Sequence, residues 1–221
     1  APNQRPPPPT GLRASQSSRG VVIEWNAGSD AETRATGLRY NISVKRRGAE
    51  GENAYIISPL NGGNEDMPLP QPIRLLNSTR FTIPIASIPA GEYEIKLQSV
   101  DTHMAASKFS ETLLFTVEES ALMEIPTTVM LDKVIAVDVR TNFVGEIDFG
   151  EGAVASSHTG GGRYNVVWHT EGLKKITAGG KQVATTMVIA APDASFSIPA
   201  SVFAGASVLV ADGAEGTWEV S

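Results

Sequence analysis

A chain of 221 residues that is 41% apolar and 19% charged has enough apolar surface for one large core or two modest ones, and no apolar run approaches the ~20 residues of a membrane-crossing helix. The net charge of -6 is uneven: residues 1–120 hold 12 Lys/Arg against 13 Asp/Glu, and residues 121–221 hold 6 against 11. Neither half offers the basic face that a nucleic-acid backbone demands, and the absence of cysteine excludes disulfides and thiolate metal sites.

Glycine and proline, 21 and 14 residues, fall between short runs rich in Val, Ile and Thr, the spacing of many short strands. The opening RPPPPT reads as a stiff polyproline II linker over residues 1–9 or, equally, as a disordered end. Seven runs follow between Thr10 and Val117: TGLRAS, GVVIEWN, LRYNISVKR, AYIISPL, TRFTIPI, GEYEIKLQSVD and ETLLFTV. In the second, Val21, Ile23 and Trp25 alternate with polar or outward positions. In the third, Leu38, Tyr40, Ile42 and Val44 do the same, and in the sixth Tyr93, Ile95 and Leu97. The same alternation places Asn41 on the outward face opposite Tyr40. AGSDAETRATG has a faint helical period but is polar all round and reads as a loop. Pro89 and Gly91 make a turn just ahead of Tyr93, so that its ring can be buried while its hydroxyl bonds nearby backbone.

These features resemble a fibronectin type III domain over residues 10–118. Trp25 stands in the second-strand tryptophan position, Tyr40 in the third-strand tyrosine position, and IPAGEYEIKLQSVD matches the family's proline–glycine–tyrosine turn and strand, which implies a seven-stranded sandwich with a tyrosine corner. SPLNGGNEDMPLPQPIRLLNSTR is longer than the family's usual link between its two sheets. The first half is also similar to modules of this type in large secreted bacterial proteins.

The pattern restarts after a polar joint at Glu118, Glu119 and Ser120. KVIAVDV, FVGEIDFGEG, RYNVVWHT, GLKKITAG and KQVATTMVIAA follow. GEIDFGEG with YNVVWHTEGLKKIT resembles a PKD-type domain, over residues 122–190. Asp148, Phe149, Gly150 and Gly152 match its motif, while Glu151 replaces an aspartate and Ile147 stands near a customary aromatic. Residues 191–221 read as the first strands of a second, incomplete copy. Ile-Pro at 125 aligns with Ile-Pro at 198, Ile135 with Val208, Val137 with Val210 and Ile147 with Trp218, a period of ~70 residues and thus a module. On this reading the polypeptide continues past Ser221 or completes its sheet against another chain.

Chemistry-bearing residues are sparse. His103, His158 and His169 have neither i, i+4 spacing nor an H-E-x-x-H pattern, and no nucleophile elbow, P-loop or dinucleotide fingerprint occurs. TGGGR at 159–163 precedes a strand and reads as a hairpin. Asp148 and Glu151 flank a tight turn and are the candidates for Ca²⁺, against the plainer role of capping that turn. NGGNED at 61–66 is a second candidate loop for Ca²⁺ or sugar and reads as solvated. VKRRG is basic but is followed by AEGE, which balances it. NIS at 41–43 and NST at 77–79 match the N-glycosylation acceptor. Trp25, Tyr40, Tyr93, Phe149, Trp168 and Trp218 are expected to be structural.

The expectation is an all-β chain of tandem immunoglobulin-like sandwiches, fibronectin type III then PKD-like, with a partial third sandwich. It would be a non-catalytic module array of a secreted or cell-surface protein, bacterial by resemblance, needing no cofactor. Its partners would be neighbouring domains of a longer polypeptide and a protein or polysaccharide met at loops. The alternative is a carbohydrate-binding accessory region of an extracellular hydrolase.

Overall fold

A computed structural model of the chain describes residues 3–65, 69, 75–156, 159–191, 208–212 and 216–220. Among the described residues the regular elements are strands and single-turn 3₁₀ segments, and one strand pairing, β9 with β15 in the numbering below, is parallel while the others are antiparallel. The architecture is all-β and multi-sheet, consistent with tandem β-sandwich domains.

The first half contains β1 (Arg13–Ser17), β2 (Gly20–Glu24), β3 (Arg39–Arg46), β4 (Tyr55–Ile57), β5 (Arg80–Pro84), β6 (Gly91–Val100) and β7 (Leu113–Val117), one on each of the seven apolar runs. One sheet is ordered β1-β2-β5 and the other β4-β3-β6-β7. Period-two patterning turns Val21 and Ile23 toward Tyr40, Ile42, Val44, Tyr93, Ile95 and Leu97 in a single core. Trp25 and Tyr40 meet edge-on with ring centroids 5.2 Å apart, a favoured aromatic geometry. The Tyr40 hydroxyl accepts the Gly28 amide at 2.9 Å. AGSDAETRATG is a loop ending in a 3₁₀ turn, Ala35–Gly37.

Two polar expectations fail here. Asn41 is 3% exposed, not outward in solvent, and Asn61 of the supposedly solvated NGGNED loop is 1% exposed. The cause is common to both. β3 is an interior strand whose outer face is covered by residues 58–65, so alternation no longer distinguishes core from water. Asp66, at the end of that motif, lies outside the described residues.

The proline-rich opening is packed, not free. Asn3 Nδ2 donates to Asp101 Oδ2 at 2.6 Å, and Pro6 and Pro9 are buried while Pro7 and Pro8 are exposed. Positions 3, 6 and 9 fall on one side because a polyproline II helix repeats every three residues.

The second half holds β8 (Ala121–Glu124), β9 (Thr128–Met130), β10 (Ile135–Thr141), β11 (Ile147–Asp148), β12 (Ala153–Ala155), β13 (Gly162–Trp168), β14 (Gly172–Ala178) and β15 (Lys181–Ile189). Its sheets are ordered β12-β13-β10-β8 and β11-β14-β15-β9. Val137, Val139, Phe149, Tyr164, Val166, Trp168, Ile176 and Val188 fill the core. Phe149 stands at its centre, 5.2 Å from the Tyr164 ring and 6.3 Å from the Trp168 ring.

Two further strands, β16 (Val208–Asp212) and β17 (Gly216–Val220), pair with each other as an antiparallel hairpin that sets Val210 opposite Trp218. The repeat alignment matches them to β10 and β11, which belong to different sheets. Residues 192–207, 213–215 and Ser221 of the expected third unit lie outside the described residues.

Candidate functional site

Each core has a tyrosine whose hydroxyl reaches back four residues. Tyr93 donates to the Pro89 carbonyl at 2.7 Å, and Tyr164 to the Gly160 carbonyl at 2.8 Å. The sequence signal is the same in both, a glycine turn running into a tyrosine, PAGEY and GGGRY. TGGGR is therefore the turn that holds a tyrosine corner, with Gly160 at φ +78° donating its amide to the Gly145 carbonyl at 2.8 Å. Burial pushes the Tyr164 hydroxyl above its ordinary pKa. Tyr164→Phe should lower stability by about 1–2 kcal/mol in urea unfolding, since the buried Gly160 carbonyl loses its donor, and Tyr93→Phe by about 0.5–1.5 kcal/mol, since its bond to the exposed Pro89 is only part-buried. Tyr164 contributes most below the unfolded tyrosine value of ~10, and the contribution fades as pH rises through its raised folded value. The Tyr164→Phe deficit should accordingly shrink in strong alkali.

The DFGEG turn carries the calcium candidates, and its backbone carbonyls and Asp148 Oδ1 are already engaged. Asp148 Oδ1 accepts the Gly150 amide at 2.8 Å. The Phe149 carbonyl takes Trp168 Nε1–H at 3.0 Å and the Glu151 carbonyl takes Thr170 Oγ1–H at 3.1 Å. The Gly150 and Gly152 carbonyls take the amides of Ala153 and His169 at 3.2 and 2.8 Å. Calcium needs six to eight convergent oxygens. Four successive carbonyls turned toward the chain's own donors make a closed turn, with Asp148 as its cap, and this geometry supports the capping role.

Among the described residues, His103 and His169 do not converge. His103 lies in the turn after β6, where Asp101 Oδ1 accepts the His103 and Ala105 amides at 2.8 Å each. His169 Nδ1 lies 2.6 Å from Asp132 Oδ1 on the exposed end of the second sheet pair, and His158 lies outside the described residues. In VKRRG, Lys45 is 3.7 Å from Glu50, as the AEGE balance anticipates, whereas Arg47 pairs across the sheet with Glu92 at 3.3 Å. The backbones of Trp218 and β17 are described, and its side chain is not.

The segment between the two sheet pairs is held by two amide side chains that drew no attention in the sequence. Gln16, on β1, donates from Nε2 to the Glu118 carbonyl and accepts the Glu118 amide at Oε1, both at 2.8 Å. Asn142, just past β10, accepts the Ser120 amide at 2.7 Å and donates to the Glu118 carbonyl at 2.9 Å. The Asn142 carbonyl accepts the Ala90 amide from the first half at 3.2 Å. The Glu118 amide is thus held by Gln16, and its carbonyl by one side chain from each half. Single amides on a strand and a loop, 102 and 24 residues from Glu118, carry no sequence pattern that would reveal them.

Two recesses lie on the first half. An open apolar groove of about 720 Å³ runs between residues 7–12 and 109–113. A smaller, polar recess of about 130 Å³ is lined by Ser43, Lys45, Tyr55, Glu94, Lys96 and Phe109, among others.

No protein-family model and no curated protein matches the chain. Among solved structures, a crystal structure of the chicken CNTN1 FN1-FN3 domains is similar, with a TM-score of 0.37 and 12% identity, over 82% of this chain and 63% of that one. The chain therefore spans less than two thirds of the length of that structure, and a likeness at this level specifies neither activity nor partner.

Proposed function

We propose that the chain is a non-catalytic module array from a large secreted or cell-surface protein, bacterial by resemblance. Its parts would be a fibronectin type III domain over residues 10–118, a PKD-like domain over 122–190, and the first strands of a further repeat over 191–221. Its work is to hold neighbouring domains at a set distance and orientation and to present loops for contact. The strand orders β1-β2-β5 and β4-β3-β6-β7, with the Tyr93 corner, support the first assignment. The DFGEG turn seated under Trp168 supports the second, and Trp25, Tyr40, Tyr93, Phe149 and Trp168 are then framework residues.

The observation that carries the spacer role is the joint. Three residues separate β7 from β8, and Gln16 and Asn142 occupy the backbone groups that would otherwise be free to swing in water. A short connection with its polar groups satisfied transmits orientation; a solvated one does not. Replacing both Gln16 and Asn142 by alanine should leave the first core's unfolding transition within about 1 kcal/mol, because the Gln16 bonds are exposed, and should cost the second about 1–3 kcal/mol, because Asn142 is buried and its bonds are partly so. It should also decouple the two halves. The readout is ¹⁵N relaxation and small-angle scattering: one common tumbling time in the natural chain, two in the variant. Independent tumbling of the two halves in the natural chain would overturn the spacer role.

A further inference from the structure

The outer face of the β3–β6 sheet is built up in a way that a plain spacer does not need. Along β3, Asn41, Ser43 and Lys45 alternate with the core residues Tyr40, Ile42 and Val44. Along β6, Gln98, Lys96 and Glu94 alternate with Leu97, Ile95 and Tyr93. Strand register sets Ser43 opposite Lys96 and Lys45 opposite Glu94, with Lys45 also opposite Tyr55 of β4. Over this face two chain segments are fastened. Gln98, 0% exposed, accepts Asn41 Nδ2–H at 2.9 Å and Asn61 Nδ2–H at 3.0 Å, and donates to the Ser107 carbonyl at 2.7 Å. Asn41 Oδ1 accepts the Leu60 amide at 3.0 Å, and Glu65 Oε1 accepts the Phe109 amide at 2.7 Å. One buried amide therefore fixes both the inserted loop and the segment after β6, and between those walls lies the polar recess.

The recess is a built cavity with unspent chemistry. Lys96 and Glu94 have no ion-pair partner among the described residues, and Lys45 has only Glu50, whose side chain is 92% exposed and readily displaced. Among the lining side chains, two ammonium groups, which can only donate, stand against one carboxylate, and a ligand carboxylate can take the place of Glu50 on Lys45. The hydroxyls of Ser43 and Tyr55 and the acceptor oxygens of Glu94 suit hydroxyl groups on the same ligand. Tyr55 and Phe109 supply the aromatic part of a mainly polar lining. At about 130 Å³ the space takes one ring, well below the 300–1,000 Å³ typical of drug-sized pockets.

We propose that this recess binds a uronic acid residue of an acidic polysaccharide. The carboxylate sits between Lys45 and Lys96, the ring hydroxyls meet Glu94 and Ser43, and the pyranose C–H face rests on Tyr55 and Phe109. The proposal deepens the contact role assigned above and rests on it, while the spacer role stands without it. The near-balanced charge of residues 1–120 leaves recognition to these local contacts instead of long-range attraction.

The test is a ¹H–¹⁵N titration of the full chain with trigalacturonate. Saturable shifts at the Ser43, Tyr55 and Lys96 amides are expected at millimolar ligand, weakening with added salt. Lys96→Ala should weaken binding about tenfold, as loss of a charged hydrogen-bond donor does. Glu94→Gln, which keeps an acceptor but removes the opposing charge, should tighten it several-fold. The proposal is overturned if no shift saturates, if Lys96→Ala leaves affinity unchanged, or if maltotriose or triglutamate binds as tightly as trigalacturonate. Unaltered spectra outside the recess show that a variant has folded. Common tumbling of the two halves, measured on the same samples, shows whether the spacer role survives when the site does not.

Discussion

Trp168→Ala should strongly destabilise the second sheet pair while leaving the first intact. Trp168 is 0% exposed, lies 6.3 Å from the Phe149 ring centroid, and donates Nε1–H to the Phe149 carbonyl at 3.0 Å. Truncation leaves a large cavity and strips that carbonyl of its donor. Buried tryptophan or phenylalanine truncations cost about 3–5 kcal/mol, against a total of roughly 5–15 kcal/mol for a whole domain. For a unit of this size, the second melting transition should fall by about 15–30 °C. The first core shares no residue with the second, and its transition should stay in place. Calorimetry on the full chain, with amide resonances of Ile42 and Val137 as markers of the two cores, separates the outcomes. A single transition that moves as a whole would show that the halves fold as one body and would contradict the division at residues 118–121.

What the sequence disclosed follows from which forces act locally. Val21, Ile23 and Trp25, or Tyr93, Ile95 and Leu97, announce a strand and its buried face because period two is a property of the backbone itself. The proline–glycine turn announces the Tyr93 corner for the same reason, since donor and acceptor are four residues apart. Asn41 escaped because alternation reports only which residues share a face, and what covers that face is decided by a loop some 20 residues away. Gln98 and Asn142 escaped likewise: an amide in a strand or turn looks the same in sequence whether it faces water or closes a buried network. Asn3, Pro6 and Pro9 were legible in principle through their period of three. The parallel pairing of β9 with β15 was not, since it depends on where two segments whose paired residues are 59 apart meet. The polar recess inherits this blindness, for its walls are brought together only by long-range bonds.

Gln98→Ala should be the most damaging change in the first half outside its aromatic core. It leaves Asn41 Nδ2, Asn61 Nδ2 and the Ser107 carbonyl without their partner, and both asparagines are at most 3% exposed. Each orphaned buried group costs about 1–3 kcal/mol. Some relaxation toward water is available through the loop, so the expected loss is about 3–5 kcal/mol in the first transition, with no change in the second. Hydrogen exchange should locate the damage. The Leu60, Gly63 and Phe109 amides should exchange much faster, whereas the Val44 and Ile95 amides should lose protection only as far as global stability falls. A second variant separates stability from architecture. Replacing Asn41, Asn61 and Gln98 together by leucine removes both sides of the Asn41–Gln98 and Asn61–Gln98 bonds, an exchange often close to neutral for stability, and leaves the Leu60 and Gly63 amides and the Ser107 carbonyl to be satisfied by water as the loop opens. It should therefore recover much of the transition lost in Gln98→Ala but not the fixed position of residues 58–65. If the triple variant holds that loop as firmly as the natural chain does, the amides are dispensable packing. If the loop is released from a stable sandwich, their role is to place the wall of the recess, and binding to trigalacturonate should disappear with it.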